Sequence, residues 1–112
     1  MLVMVTALVK PHQLDDVKAA LAAVGATDAT MSEVRGFGRQ GGHTETYRGA
    51  EYRIDLVPKV RVDVMCEDDR ADAVVDAVLE AAATGRIGDG KIWVTPLDQV
   101  ILAPTVSDNG AT

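Results

Sequence analysis

Met1 to Val9 form an almost uninterrupted apolar run, the pattern of a strand buried on both faces. The run lacks a basic leader and is too short to span a bilayer. After Lys10, Pro11 is placed to open a helix, and Leu14, Val17, Leu21 and Val24 recur at the three-and-four spacing of one helical face. Gly25 is placed to end it. A second strand of weaker pattern spans residues 30–37. Further on, Val60, Val62, Val64 and Cys66 alternate with Arg61, Asp63 and Met65, which predicts a strand with two unlike faces. Glu67, Asp68 and Asp69 then put negative charge at the start of a second helix, whose Val74, Val75, Val78, Leu79 and Ala82 make an apolar stripe. Gly85 is expected to close it. Lys91 to Thr95 form a fourth strand, interrupted by Pro96 and resumed at Val100-Ile101-Leu102.

The order strand, helix, strand, strand, helix, strand predicts an α+β fold. Two similar halves of this kind build an antiparallel sheet with both helices on one face, the ferredoxin-like βαββαβ arrangement. At 112 residues and 47% hydrophobic content, the chain suits one domain with a single core. We assign that domain to residues 1–104. Residues 105–112 are small and polar and are expected to form a disordered tail.

Between the second and third strands lie seventeen residues, Gly36 to Tyr52, with almost no aliphatic side chains. So long a structureless insert in a small domain is expected to bind something. Charge sharpens this. The formal net charge is -6 and the pI about 4.7, which argues against general binding of nucleic acid or anionic membranes. Yet six of the eleven cations, Arg35, Arg39, Arg48, Arg53, Lys59 and Arg61, fall between residues 35 and 61, against only Glu45, Glu51 and Asp55. An acidic chain with a basic insert suits a small anion or an acidic patch on a partner. Any one of these arginines taken alone reads as solvated surface charge.

A second glycine-rich stretch, Thr84 to Lys91, satisfies the first part of a phosphate-binding loop. It fails where Ile92 replaces the hydroxyl residue that would hold magnesium, and it leaves a helix to enter a strand, the reverse of the usual context. A P-loop nucleotidase is therefore disfavoured. Gly85, Gly88 and Gly90 still allow backbone N–H groups to converge on an anion, with Arg86 and Lys91 adding charge. The plainer reading makes Gly85 a helix cap and Gly88-Asp89-Gly90 a tight turn. Two such stretches with adjacent cations favour anion binding.

The single cysteine, Cys66, reads as a buried small hydrophobe, and this usage fits a reducing cytoplasm. His12 and His43 have no second ligand at metal spacing, so no structural metal is expected. Ser32 and Ser107 are the only serines, and neither belongs to a hydrolytic triad. Tyr47 and Tyr52, in a polar insert, read as contact anchors or modifiable hydroxyls, with packing on their own loop as the competitor.

These residues resemble the PII nitrogen-regulatory signal transduction proteins of the GlnB/GlnK type over residues 1–101. The most specific stretches are Val34-Arg35-Gly36-Phe37-Gly38-Arg39-Gln40, Tyr47-Arg48-Gly49-Ala50-Glu51-Tyr52, Pro58-Lys59-Val60 and Thr84-Gly85-Arg86-Ile87-Gly88-Asp89-Gly90-Lys91. The resemblance implies a cytoplasmic homotrimer, with ATP, ADP or AMP bound in clefts between subunits. It makes the insert, about residues 37–55, a T-loop that docks on targets such as ammonium channels, nucleotidyltransferases and metabolic enzymes. ATP with magnesium would admit 2-oxoglutarate, and that ligand would reshape the loop. By position, Thr30 and Met65 would line the adenine cleft, Gly38 and Arg39 would approach from the loop base, and Gly88, Asp89, Gly90 and Lys91 would meet the phosphates. Gln40 would help hold magnesium and 2-oxoglutarate, with Gly41, Gly42 and Lys59 serving the oxoacid carboxylates. Tyr52 stands at the position that some relatives uridylylate or adenylylate.

The departures from the family pattern carry information too. Relatives usually end the last strand with Arg-x-Arg-Thr-Gly, where this chain has Leu102-Ala103-Pro104-Thr105-Val106. Each lost charge-assisted contact to phosphate costs about 1.5 to 3 kcal/mol, so weakened ATP binding with a relative preference for ADP or AMP is expected. Asp28 adds an acid where a glycine is common, and Gly41 replaces a frequent lysine. The resulting expectation is a non-catalytic nucleotide-sensing regulator, since no general base stands beside the glycine-rich nest. The alternative is a specialised paralogue that senses another small anion or binds its target without regard to nucleotide.

Overall fold

The computed structural model describes residues 1–37, 43–47, 50–54, 56–85 and 90–103. Its elements are β1 (Leu2–Val9), α1 (Leu14–Ala23), β2 (Ala29–Gly36), β3 (His43–Tyr47), β4 (Ala50–Ile54), β5 (Val57–Glu67), α2 (Ala71–Ala82) and β6 (Gly90–Pro96). Four strands form an antiparallel sheet in the order β2-β5-β1-β6, and α1 and α2 pack against it to give the ferredoxin-like α+β fold.

The apolar opening run becomes β1, a central strand with β5 on one side and β6 on the other. Val3, Val5, Ala7 and Val9 enter the core with Val60, Val62 and Val64 of β5, under Val17 and Leu21 of α1 and Val74 and Val78 of α2. Burial of β1 on both faces holds on one face only. On the other, Leu2, Met4 and Leu8 are half-buried in the single chain, and Thr6 alone is fully enclosed. The cause is architectural, because both helices cover the same side of the sheet.

Pro11 opens a short 3₁₀ turn, Pro11–Gln13, that leads into α1. Gly25 ends that helix as expected. It adopts φ +77, and the bonds from Gly25 N–H to the Ala22 carbonyl (3.0 Å) and from Ala26 N–H to the Leu21 carbonyl (2.8 Å) complete a Schellman motif. Asp68 and Asp69 sit in a 3₁₀ turn before α2. That helix stops earlier than expected, at Ala82, because Ala83 is extended, and Gly85 turns left-handed (φ +78) beyond the helix. Leu79, grouped with the apolar stripe by periodicity, is 50% exposed.

Two expectations are corrected. The insert is not structureless: β3 and β4 form a separate antiparallel hairpin, from His43 opposite Ile54 to Tyr47 opposite Ala50. Thr44, Thr46, Tyr47, Tyr52 and Ile54 are β-branched or aromatic, which favours strands without needing aliphatic alternation. Val100-Ile101-Leu102 is not a strand. The β1 ladder that supports β6 pairs Val3 with Pro96 and ends with Leu97 N–H on the Leu2 carbonyl, 3.1 Å, so β1 has no residue left to pair further.

Candidate functional site

Strand direction decides what meets at each end of the sheet. β1 ends at Val9, β2 ends at Gly36, β5 begins at Val57 and β6 begins at Gly90, and these four termini share one end. The two glycine-rich stretches, far apart in sequence, therefore join the sheet at the same end, one between β2 and β5 and the other at the opposite edge strand, β6. Gly90 lies opposite Val9, Val9 opposite Val60, and Lys59 opposite Val34.

Lys59 is only 5% exposed and lines a cleft of about 450 Å³ with Pro11, Glu33, Val34, Arg35, Pro58 and Val60. Two cations and one acid around a partly apolar hollow form a donor set suited to a small carboxylate. Gly90 is constrained by packing. Its φ is +121, and a Cβ there would overlap the backbone oxygen of Leu8 on the neighbouring strand. This close strand approach requires glycine whether or not a phosphate is bound.

Met65 lies towards the opposite end, and Thr30 lies on the edge strand β2, level with the middle of β1. Thr30 pairs with Asp63, and Met65 is level with Met4 and Thr95, whereas Lys91 is level with Leu8 and Arg61. Four residues of strand, about 13 Å, and two interstrand spacings, about 10 Å, separate Met65 from Lys91. One protomer thus holds the residues in two groups that do not converge. Beside Met65 is a second cleft, of about 230 Å³, lined among others by Gly25, Thr27, Asp28, Cys66 and Arg70. Arg70 clamps its wall by donating from Nη2 to the Val24 carbonyl at 2.6 Å. Burial pushes the Cys66 thiol above its ordinary pKa, with Arg70 opposing and Asp69 and Glu67 adding to the rise, so it stays protonated at neutral pH.

Of the other expected site residues, Gly38, Arg39, Gln40, Gly41, Gly42, Arg86, Gly88 and Asp89 lie outside the described residues, as does the tail. Tyr52 sits on β4 opposite Glu45. Among the described residues, no group of three or more His, Cys, Asp or Glu could hold a metal ion, and no helix is long and apolar enough to cross a membrane.

Sequence reading missed a polar network on the sheet face away from the helices. Thr6 Oγ1 donates to Asp63 Oδ1 at 2.6 Å, Arg61 Nε donates to Asp63 Oδ2 at 3.0 Å, and the Arg61 guanidinium lies 5.9 Å from the Trp93 ring centroid. The available signals were a threonine inside the apolar run of β1 and an acid inside the alternation of β5. Burial acts to raise the Asp63 pKa, but the hydrogen bonds from Thr6 and Arg61 and the Arg61 charge outweigh it, leaving the group below its ordinary 3.8. A depressed carboxylate pKa gives stability that is complete above the unfolded value and is lost as pH falls through the folded one. Asp63→Asn is accordingly expected to cost about 1–2 kcal/mol at pH 7 and to flatten the loss of stability below pH 4. Urea denaturation at pH 7 and pH 3 checks this, and equal pH dependence in the two proteins would count against the network.

A family model for nitrogen regulatory protein P-II matches residues 2–105. The chain is 50% identical over 105 residues to nitrogen regulatory protein P-II of Pasteurella multocida, covering 94% of each. It is also 50% identical over 107 residues to nitrogen regulatory protein P-II 1 of Escherichia coli K12 and to nitrogen regulatory protein P-II of Klebsiella oxytoca, covering 96% of each chain.

Proposed function

We propose, since this chain belongs to the P-II family of nitrogen regulatory proteins, which are signal transducers and not enzymes, that it senses adenine nucleotides at clefts between the subunits of a homotrimer. The observation that carries this reading is the separation of the candidate residues within one protomer. Thr30 and Met65 on β2 and β5, and Gly90 and Lys91 on β6 across the sheet, serve one nucleotide only if neighbouring copies supply complementary halves. The half-open sheet face with Met4, Leu8 and Trp93 supplies apolar surface for such an assembly.

Nucleotide phosphates then lie at the end of the sheet from which both glycine-rich stretches extend, so occupancy biases the arm that spans residues 37–55. The arm in turn engages an acidic or polar surface on a target, such as an ammonium channel or a metabolic enzyme, and Tyr52 is its modifiable hydroxyl. The cleft beside Lys59, with Arg35 on its rim, suits the carboxylates of 2-oxoglutarate. Magnesium would neutralise phosphate charge there with Gln40 as its protein donor.

ATP is held weakly relative to ADP or AMP, because Leu102, 60% exposed, and Pro104 stand where relatives carry phosphate-binding arginines. Calorimetry on the full chain with ATP, ADP and AMP, each with and without magnesium and 2-oxoglutarate, tests the whole reading. ADP or AMP is expected to bind at least as tightly as ATP. Micromolar ATP binding that enables 2-oxoglutarate would overturn the weakened-site claim, and absence of all nucleotide binding would overturn nucleotide sensing itself. Leu102→Arg is expected to tighten ATP binding by about tenfold; an unchanged affinity would show that the missing charge is not what limits it.

A further inference from the structure

A small apolar pocket opens where α2 ends and β6 begins. Val9 and Val78, each 1% exposed, reach it from the core, and the half-buried Ile92 and the exposed Leu79 line its more open part. Its volume is about 90 Å³. That suits one branched aliphatic side chain and is too small for an aromatic ring, since a cavity that takes benzene measures about 150 Å³.

The chain itself supplies a candidate for this space. Ala83, just after α2, and Gly90, the first residue of β6, both line the pocket, so the connection between them is tethered to its rim at both ends. Thr84 to Asp89 make that connection, and residues 86–89 of it lie outside the described residues. Ile87 is three positions from Gly90 and four from Ala83. At no more than about 3.6 Å per residue, its Cα stays within about 11 Å of one end and about 14 Å of the other. It is also the only aliphatic side chain of the connection, whose other members are Thr84, Gly85, Arg86, Gly88 and Asp89. An apolar pocket rewards Ile87 and none of these. The exposed Ile101 and Leu102 follow Leu97, which is bonded to Leu2 at the far end of β6.

We propose that Ile87 seats in this pocket and thereby positions the second glycine-rich stretch for anion binding. Gly90 is already fixed against the Leu8 carbonyl. With Ile87 held as well, Gly88 and Asp89 are bracketed, and their N–H groups are ordered before a phosphate arrives. Ile87 is a positioning residue and does not touch the ligand. The seat needs no nucleotide, whereas its effect on affinity rests on the nucleotide-sensing reading above.

Two measurements on the full chain test this. In methyl-labelled protein free of nucleotide, the Ile87 δ1 methyl should give nuclear Overhauser cross-peaks to the methyls of Val78 and Ile92. Their absence from an otherwise well-dispersed spectrum would overturn the proposal. Cross-peaks found only between differently labelled copies would place a neighbour's side chain in the pocket and overturn it equally. Calorimetry with ADP then reads the positioning: Ile87→Ala should bind about tenfold more weakly than wild type, and Ile87→Val should stay within about threefold, with unchanged circular dichroism in both. Affinity of Ile87→Ala within about twofold of wild type would overturn the positioning role. Failure of wild-type protein to bind ADP would overturn nucleotide sensing and this role with it, while the cross-peaks would still decide the seat.

Discussion

Gly90→Ala is expected to destabilise the fold by about 3 kcal/mol or more, the combined cost of backbone strain and overpacking. Two effects act together at this residue. At φ +121 an L side chain is strained whatever room surrounds it, and here the room is absent, because the added Cβ would overlap the carbonyl of Leu8. Relief requires the start of β6 to move away from β1, which breaks the pairs Val9–Gly90 and Leu8–Lys91. The same movement displaces Lys91, so any anion affinity at this end of the sheet should fall with stability. Thermal unfolding at a fixed protein concentration should show a drop on the order of 10 °C. A shift of only a degree or two would mean that the approach of the two strands is slack.

Leu21→Ala is the second large effect, expected at about 3 kcal/mol. Leu21 is 2% exposed and sits in the core among the valines of β1, β5 and α2. Its truncation leaves a cavity that this sheet, held by ladders on both sides of β1, cannot collapse to fill. Leu79→Ala provides the control. It deletes the same atoms from a helix, but Leu79 is 50% exposed, so the expected cost is below about 1 kcal/mol. Denaturant titrations of the two variants compare burial directly. Similar losses would show that Leu79 is covered in the assembled protein.

That pair of leucines also illustrates how far the sequence was legible. Periodicity placed both on apolar helical stripes, and it located both helices and four strands to within a few residues, because each element must turn one face to a core. It did not rank Leu79 below Leu21, since exposure depends on how far the sheet extends beneath each helix. The β3–β4 hairpin was missed because its strand formers are threonines and tyrosines rather than aliphatic residues. Val100 to Leu102 was misread as strand because apolar composition was visible and the end of β1 was not.

The candidate site divides along the same line. Its residue types were readable: glycines beside cations, Lys59 after a proline, Tyr52 in a polar insert and an acid at Asp28. These follow from local chemistry and from order along the chain. Their arrangement was not readable. That the two glycine-rich stretches join one end of the sheet, that Met65 lies towards the other, and that Thr6, Arg61, Asp63 and Trp93 meet on one face all follow from strand order and register. The sequence by itself determined both helices, the four strands of the main sheet, the basic character of the insert and the family to which the chain belongs, because side-chain periodicity and motif order are local properties. Only the tertiary structure decided which residues meet, because strand pairing joins segments tens of residues apart and a one-residue change of register would send every side chain to the opposite face.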